Sequence, residues 1–204
     1  MESTILIPAG GDQSRWVSSL PKQLVTVNGE TLLARHRRQL EEYTEAFIIL
    51  TADSYIQSLF PDDTYLPREH SRLCETLVNT RHLWSRRTII VLGDTVLSDA
   101  TIHRIATDRR PCVFWGNWSD ILAISVYEEE ANALMLAMWS AFRNRGPGKL
   151  WQAYRAYCGF EMNEHKFDSW GMFVDTMDWS RDFDTVEEYT YWIEQEARKI
   201  DLWT

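Results

Sequence analysis

The chain has little with which to cross-link itself, to anchor in a membrane or to hold nucleic acid. Its three cysteines, Cys74, Cys112 and Cys158, are odd in number and scattered, and no pair has CxxC spacing. That excludes a disulfide framework and points to reduced thiols in a reducing compartment. No apolar run approaches the ~18 residues a membrane span needs, and no secretory leader stands before the first apolar run, so a cytoplasmic protein is expected. Positive charge is scarce: 21 Lys and Arg stand against 30 Asp and Glu, a net charge of −9. Non-specific nucleic-acid binding needs a basic surface to displace counterions and is argued against. The five histidines (36, 70, 82, 103 and 165) show no metal-ligand spacing. Internal repeats and low-complexity linkers are absent, and the 204 residues are read as one domain.

What is present is a 45% hydrophobic fraction, enough for an ordinary core, and an alternation of strand and helix patterns. Apolar or β-branched runs at 3–8, 24–27, 46–51, 88–94, 112–117, 121–127 and 169–176 read as strands. Helical periodicity appears at 30–43, 74–84, 98–106, 128–144, 149–158 and 185–200, with a loop around Pro61 and Pro67. His36 falls on the apolar face of the first helix and is expected to pack. Arg37, Arg38 and the Arg86-Arg87 pair are expected in solvent. Strand and helix alternate through the first half. That order predicts an α/β protein: a mixed, mostly parallel sheet with helices on both faces, in three α/β/α layers.

The first strand runs into PAGGDQSRWVSSLPK, residues 8–22. Glycines after a first strand let backbone N–H groups approach a phosphate, although a tight turn uses glycine too. Arg15 and Lys22 tilt the balance, because a bidentate fork and a mobile point charge both suit a polyphosphate.

These residues carry a resemblance. PAGGDQSRWVSSLPKQLVTVNGETLLARHRRQL resembles the opening signature of the GT-A-like nucleotidyltransferases. That group takes in the MobA-like NTP transferases and the sugar-phosphate, phosphocholine and methylerythritol-phosphate nucleotidyltransferases. Pro8, Ala9, Gly11, Arg15, Pro21, Lys22, Gln23, Leu24, Gly29 and Leu33 match the pattern. Gln13 stands in place of its second glycine and Trp16 in place of Met or Leu. The resemblance implies a Rossmann-like GT-A fold and transfer of NMP from an NTP to a small phosphorylated or phosphonate acceptor, with Mg2+ as cofactor and pyrophosphate released. It implies nucleotide binding by Pro8, Ala9, Gly10 and Gly11, charge stabilisation by Arg15 and Lys22, and an NTP-binding half over 1–108 followed by an acceptor-binding half over 109–204.

Transfer at an α-phosphate brings two anions together, which calls for Mg2+ and for carboxylates at strand ends. Asp94, closing TIIVLGD, sits where open α/β sheets bind ligands, though a Gly-Asp turn capping the next helix explains it as well. By resemblance it is the metal-binding Asp. SRDFDTVEEYTYW (180–192) resembles the family's D-I-D-T-P-E-D-Y ending. There Asp184 is expected as the second metal ligand, ahead of Asp182. N-capping by Asp184 or Thr185, with Glu188 as box partner, accounts for the same residues. CETLVNTRHL (74–83) resembles the helix that places a hydroxyl by the nucleotide, which puts Thr76 there and Glu75 near the base, a lean toward CTP or GTP.

The acceptor is expected among residues 110–175. The aromatics Trp115, Trp118, Trp151, Tyr154 and Trp170 there either pack or surround a headgroup or sugar. Lys149 and Lys166 are candidates for the acceptor phosphate, with solvation the simpler reading. A homodimer is compatible with the resemblance. A GT-A glycosyltransferase is the nearest alternative; Pro-Lys and the lack of D-x-D after the central strand speak against it. The Gln13 departure keeps a non-catalytic nucleotide-binding module open.

Overall fold

A computed structural model describes residues 3–10, 15–143, 146–161 and 171–201. In chain order, β1 (Ser3–Pro8) precedes a hairpin of β2 (Thr26–Val27) and β3 (Glu30–Thr31), then α1 (Leu32–Leu40), β4 (Ala46–Leu50), α2 (Ser54–Leu59), β5 (Thr64–Tyr65) and α3 (Leu73–Asn79). There follow β6 (Arg87–Val91), β7 (Thr95–Val96), α4 (Asp99–Thr107), β8 (Cys112–Gly116), β9 (Ile121–Tyr127), α5 (Glu128–Phe142), α6 (Leu150–Tyr157), β10 (Phe173–Asp175), β11 (Arg181–Asp182) and α7 (Val186–Asp201).

Seven strands form one sheet in the order β10-β8-β9-β6-β1-β4-β5. β1 pairs in parallel with β4 and β6, and β9 alone runs against its neighbours. The sheet is mixed and mostly parallel, as the alternation of elements predicts. Period-2 side-chain direction divides the core. Ile5, Ile7, Ile89 and Val91 face one way and pack with Leu33 and Leu40 of α1, Ile56 of α2, and Ile102 and Ile105 of α4. Leu6 and Ile90 face the other way and meet Leu77 of α3, Leu134 and Met138 of α5, and Ala153 of α6. A third cluster of Trp16, Val25, Val27, Leu32, Val96, Phe183 and Trp192 joins the opening loop to β7 and the start of α7.

Local chemistry sets several boundaries. Asn28 and Gly29, at φ 53° and 80°, turn the β2–β3 hairpin in the left-handed region that Asn and Gly tolerate. Ser98 caps α4 by accepting from Thr101 N. The 74–84 pattern stops as an α-helix at Asn79 and continues as a short 3-10 turn over Arg81–Leu83. The stretch read as a loop holds α2 and β5; the Asp53 carboxylate caps α2 by accepting from Tyr55 N and Ile56 N. The strand read over 169–176 is observed at Phe173–Asp175, and Ser169 and Trp170 lie outside the described residues.

One expectation about charge is overturned. Arg87 is not solvated: it is buried on β6, and its guanidinium donates to the carbonyls of Ile105, Ala106 and Asp108. The orphan carbonyls at the end of α4 draw it inward, since a cation satisfies the negative helix terminus. Cys74, Cys112 and Cys158 are free thiols. Among the described residues no helix is long and apolar enough to cross a membrane.

His36 is fully buried, as its face predicts, and burial together with neighbouring Arg35 pulls its pKa down to about 4. In the unfolded chain the imidazole titrates near its ordinary value of 6.5. Between those values the unfolded state binds the extra proton, so stability falls as pH drops from about 6.5 to about 4. Urea unfolding across this window should show a loss of about 3 kcal/mol for wild type relative to His36→Leu, at 1.36 kcal/mol per unit.

Candidate active site

The carboxyl ends of β1 and β6 come together because the residue before Asp94 is glycine. A Cβ on Gly93 would lie 2.9 Å from Pro8 O and 3.2 Å from the Ala9 Cβ, closer than side chains tolerate. Gly93 N donates to Pro8 O at 3.0 Å, which seats Asp94 beside the glycine loop. The start of that loop is anchored on its other side: Ala9 N donates to Leu50 O at 2.9 Å, and the Thr51 hydroxyl donates to Ala9 O at 2.7 Å. The Ala9 amide is thus committed inside the protein. A Cβ on Gly10 would meet nothing within 4 Å, so its surface opens into the cavity beside it. Gly11, Asp12 and Gln13 lie outside the described residues.

The cations and carboxylates nominated from sequence meet in pairs. Lys22 Nζ sits on Asp94 Oδ2, both largely shielded from water. Arg15 Nη2 lies 2.6 Å from Asp184 Oδ1, in a more exposed pair. Pairing of β11 with β7 aligns Asp182 with Thr95, one residue from Asp94. Asp182 is pushed up to about 7, first by burial and then by the charges of Asp120, Asp94 and Asp184, against the lowering effect of Lys22. Four carboxylates thus share a corner of the molecule with Lys22 and Arg15. The surplus of negative charge is what a divalent cation would relieve, and the donor set fits Mg2+. Among the described residues no group of three or more His, Cys, Asp or Glu stands at metal-ligating spacing. Mg2+ commonly takes one or two carboxylates and completes its shell with water and substrate phosphates.

The C-terminal motif also does the capping work that its residues predict. Glu188 N donates to the Thr185 hydroxyl, and the Glu188 carboxylate accepts from Asp184 N. Tyr189 ties the helix to the hairpin through a 2.6 Å bond from its hydroxyl to Thr26 O. Trp16, the departure from the resembled pattern, is buried against Tyr189, and its indole N–H donates to Leu20 O. It belongs to the third core cluster.

Two cavities flank the cluster. One, of about 420 Å3, runs from Asp94 past Pro8, Ala9 and Gly10 to Thr76, Asp53 and His70. Thr76 lines it as its resemblance implies, though its hydroxyl donates to Arg72 O. Glu75 does not line it; its carboxylate accepts from the Ser71 hydroxyl at 2.8 Å. The second, of about 440 Å3, is walled by Asn117, Ser119, Asp120, Trp179, Asp182 and Trp192, with Asp178 at its edge. Asp178 is only partly shielded from water, which raises a carboxyl, but donors from Ser180, Ser98 and Thr101 outweigh this and hold it below its ordinary value.

The aromatics nominated for an acceptor site mostly pack. Trp115 and Tyr154 are buried in the core, and Trp151 stacks on Phe173 at 5.5 Å. Trp118 is exposed, and Trp170 and Lys166 lie outside the described residues. Lys149 is exposed at the start of α6 and lines neither cavity. Sequence reasoning passed over Asp120 and Asp53, and gave His70 no role in a site. Of these only Asp53 carried a local signal, as a helix-capping residue before SYIQSL.

No family model matches the sequence, and no curated protein matches it. Solved structures do. CTP:phosphocholine cytidylyltransferase from Streptococcus pneumoniae superposes with a TM-score of 0.66 at 12% identity, covering 95% of this chain and 99% of that one. Rv0371c from Mycobacterium tuberculosis gives 0.66 at 16% identity, with 95% and 99% covered. A protein assigned as a glucose-1-phosphate thymidylyltransferase from Bacillus anthracis gives 0.67 at 11%, with 95% and 94% covered. The chain has the nucleotidyltransferase fold. Likeness to these structures extends over nearly the whole chain, at the level of architecture.

Asp182→Asn replaces the most crowded carboxylate of this fold's strand-end cluster with a neutral isostere. Asp182 has a folded pKa raised to about 7, so the native state holds the extra proton between about 4 and 7 and stability falls as pH rises through that range. In chelator, thermal melts should show the variant stabilised by several degrees at pH 8 and by distinctly less at pH 5.

Proposed function

We propose that the chain is a Mg2+-dependent nucleotidyltransferase. It would transfer NMP from an NTP to a small phosphorylated or phosphonate acceptor and release pyrophosphate. The observation that carries this reading is the meeting of Lys22 with Asp94 and of Arg15 with Asp184, between two cavities, on a fold shared with enzymes named for that reaction. The nucleotide takes the cavity bounded by Pro8, Ala9 and Gly10, with Gly11 following in the same loop. The acceptor takes the cavity walled by Asp120, Trp179 and Trp192, so the expected division into an NTP half and an acceptor half becomes a division between two pockets.

Asp94 and Asp184 hold Mg2+, as the sequence nominates, with Asp182 adding to the field between the two cavities. The ion supplies charge neutralisation, letting one anion approach another. An oxygen of the acceptor phosphate attacks the α-phosphorus, and the bond from that phosphorus to the β-phosphate oxygen breaks. Lys22 and Arg15 then exchange their carboxylate partners for phosphate oxygens and stabilise charge on the α-phosphate and on the departing pyrophosphate. No general base is required, because a phosphate nucleophile is already ionised. The committed Ala9 amide leaves Gly10 and the residues after it as the backbone that meets phosphate. The lean toward CTP or GTP comes with Glu75 at the base and loses that support, because Glu75 lines neither cavity.

Pyrophosphate release is the direct assay, run with each NTP, Mg2+ and a panel of sugar phosphates and alcohol phosphates. Acceptor-dependent release is expected, and Lys22→Ala and Asp94→Ala should each lower it about 100-fold or more while remaining folded. Transfer from a nucleotide sugar without pyrophosphate release would place the chain with the glycosyltransferases. Mg2+-dependent NTP binding without turnover across a broad panel would favour a binding module, and no NTP binding at all would falsify both.

A further inference from the structure

We infer that Asp53 and His70 read the nucleobase, and that they select bases presenting an amino group over uracil and thymine. This rests on the nucleotidyltransferase reading above and names the class of NTP for the same cavity.

The topology sets the direction of the nucleotide. β4, β1 and β6 are neighbours in the sheet, and the cavity crosses their carboxyl ends. Asp94 follows β6, and Asp53 follows β4, two strand spacings or roughly 10 Å away. With phosphates held at Lys22 and Asp94, the nucleoside extends over Gly10 toward Asp53 and His70. Leu50, Ala52 and Leu73 supply apolar wall there for a ring face.

The polarity of that end is one-sided. Asp53 Oδ1 accepts from Tyr55 N at 2.8 Å and Ile56 N at 3.0 Å, which fixes the carboxylate. Among the described residues Oδ2 has no recorded donor, and Asp53 lines the cavity. His70 Nδ1 lies 3.3 Å from Pro67 O. A carbonyl only accepts, so Nδ1 carries the hydrogen of the neutral ring and Nε2 keeps a lone pair. Each lining hydroxyl has already given up its hydrogen: Thr51 to Ala9 O, Ser71 to the Glu75 carboxylate and Thr76 to Arg72 O. The side chains at this end therefore offer acceptors and withhold donors. Cytosine, guanine and adenine bring an exocyclic amino group, which satisfies an acceptor. Uracil and thymine present a C4 carbonyl where cytosine presents its amino group, and that carbonyl faces these acceptors without a side-chain donor, leaving N3–H as the one donor they bring. Glu75, nominated for the base from sequence, acts one step back by holding Ser71 in its donating state.

Calorimetric titration of the full chain with CTP, GTP, ATP, UTP and dTTP, each with Mg2+, tests this. The tightest of the three amino-bearing nucleotides should exceed UTP and dTTP by about tenfold or more. Asp53→Asn is the diagnostic variant. Asn caps helices as well as Asp does, so its oxygen keeps the Tyr55 and Ile56 amides and its NH2 takes the place of Oδ2. An acceptor becomes a donor with the cap preserved. The ratio should collapse toward one or invert while the thermal midpoint stays within a degree or two of wild type, and His70→Ala should reduce the ratio in the same sense. Equal affinity for all five nucleotides in wild type, or an unchanged ratio in folded Asp53→Asn, overturns the base-reading role and leaves the nucleotidyltransferase reading standing. Binding of no nucleotide overturns both.

Discussion

Negative charge gathered at the carboxyl end of a sheet is the constraint around which this molecule is arranged. Asp94, Asp120 and Asp184 crowd Asp182, which burial first and their charges second drive to hold its proton near neutrality. Such a cluster persists only where the surrounding structure insists on it. Here the insistence comes from three sources. Gly93 permits close contact between β1 and β6, the β7–β11 pairing sets Asp182 next to Asp94, and the apolar cluster around Trp16, Phe183 and Trp192 clamps the opening loop to the last helix. Lys22 and Arg15 relieve part of the charge and leave a negative surplus at this corner.

The cations lend themselves to exchange. Exposed ion pairs contribute little to stability, so Arg15 can leave Asp184 at small cost. Lys22 is more shielded, and its attraction for Asp94 is stronger for that reason, yet a phosphate offers the same charge at the same place. The site stores its binding energy in groups already placed, with most of their ordering done during folding. The same pre-ordering appears at the far end of the cavity beside Gly10, where hydroxyl hydrogens are committed to backbone and carboxylate.

Much of the site was legible in the chain, and the reason is locality. Arg15 and Lys22 lie within one loop, Asp94 ends the most clearly apolar strand, and the 182–189 motif carries both its acidic pair and its helix start. Local signals failed where the deciding partner was distant. Arg87 reads as one of two adjacent surface arginines, but the open carbonyls at the end of α4 draw it into the core. Trp16 reads as a departure in a nucleotide loop, but it fills an apolar cluster completed from the far end of the chain. Trp115, Trp151 and Tyr154 read as candidate cage residues, and they pack.

The sequence by itself determined the alternation of buried strands and amphipathic helices, and hence a mostly parallel α/β sheet, because period and apolarity are properties of neighbouring residues. It also determined which cations and carboxylates were available to pair at the carboxyl end of the sheet. Tertiary structure alone decided their partners: Lys22 with Asp94, Arg15 with Asp184, Asp182 crowded between its neighbours, and Asp53 and His70 at the end of a cavity beyond three strands. Pairing and burial depend on which strand lies beside which, and hydrogen-bond polarity depends on which hydroxyl has already found an acceptor. Neither is encoded within the reach of a local pattern.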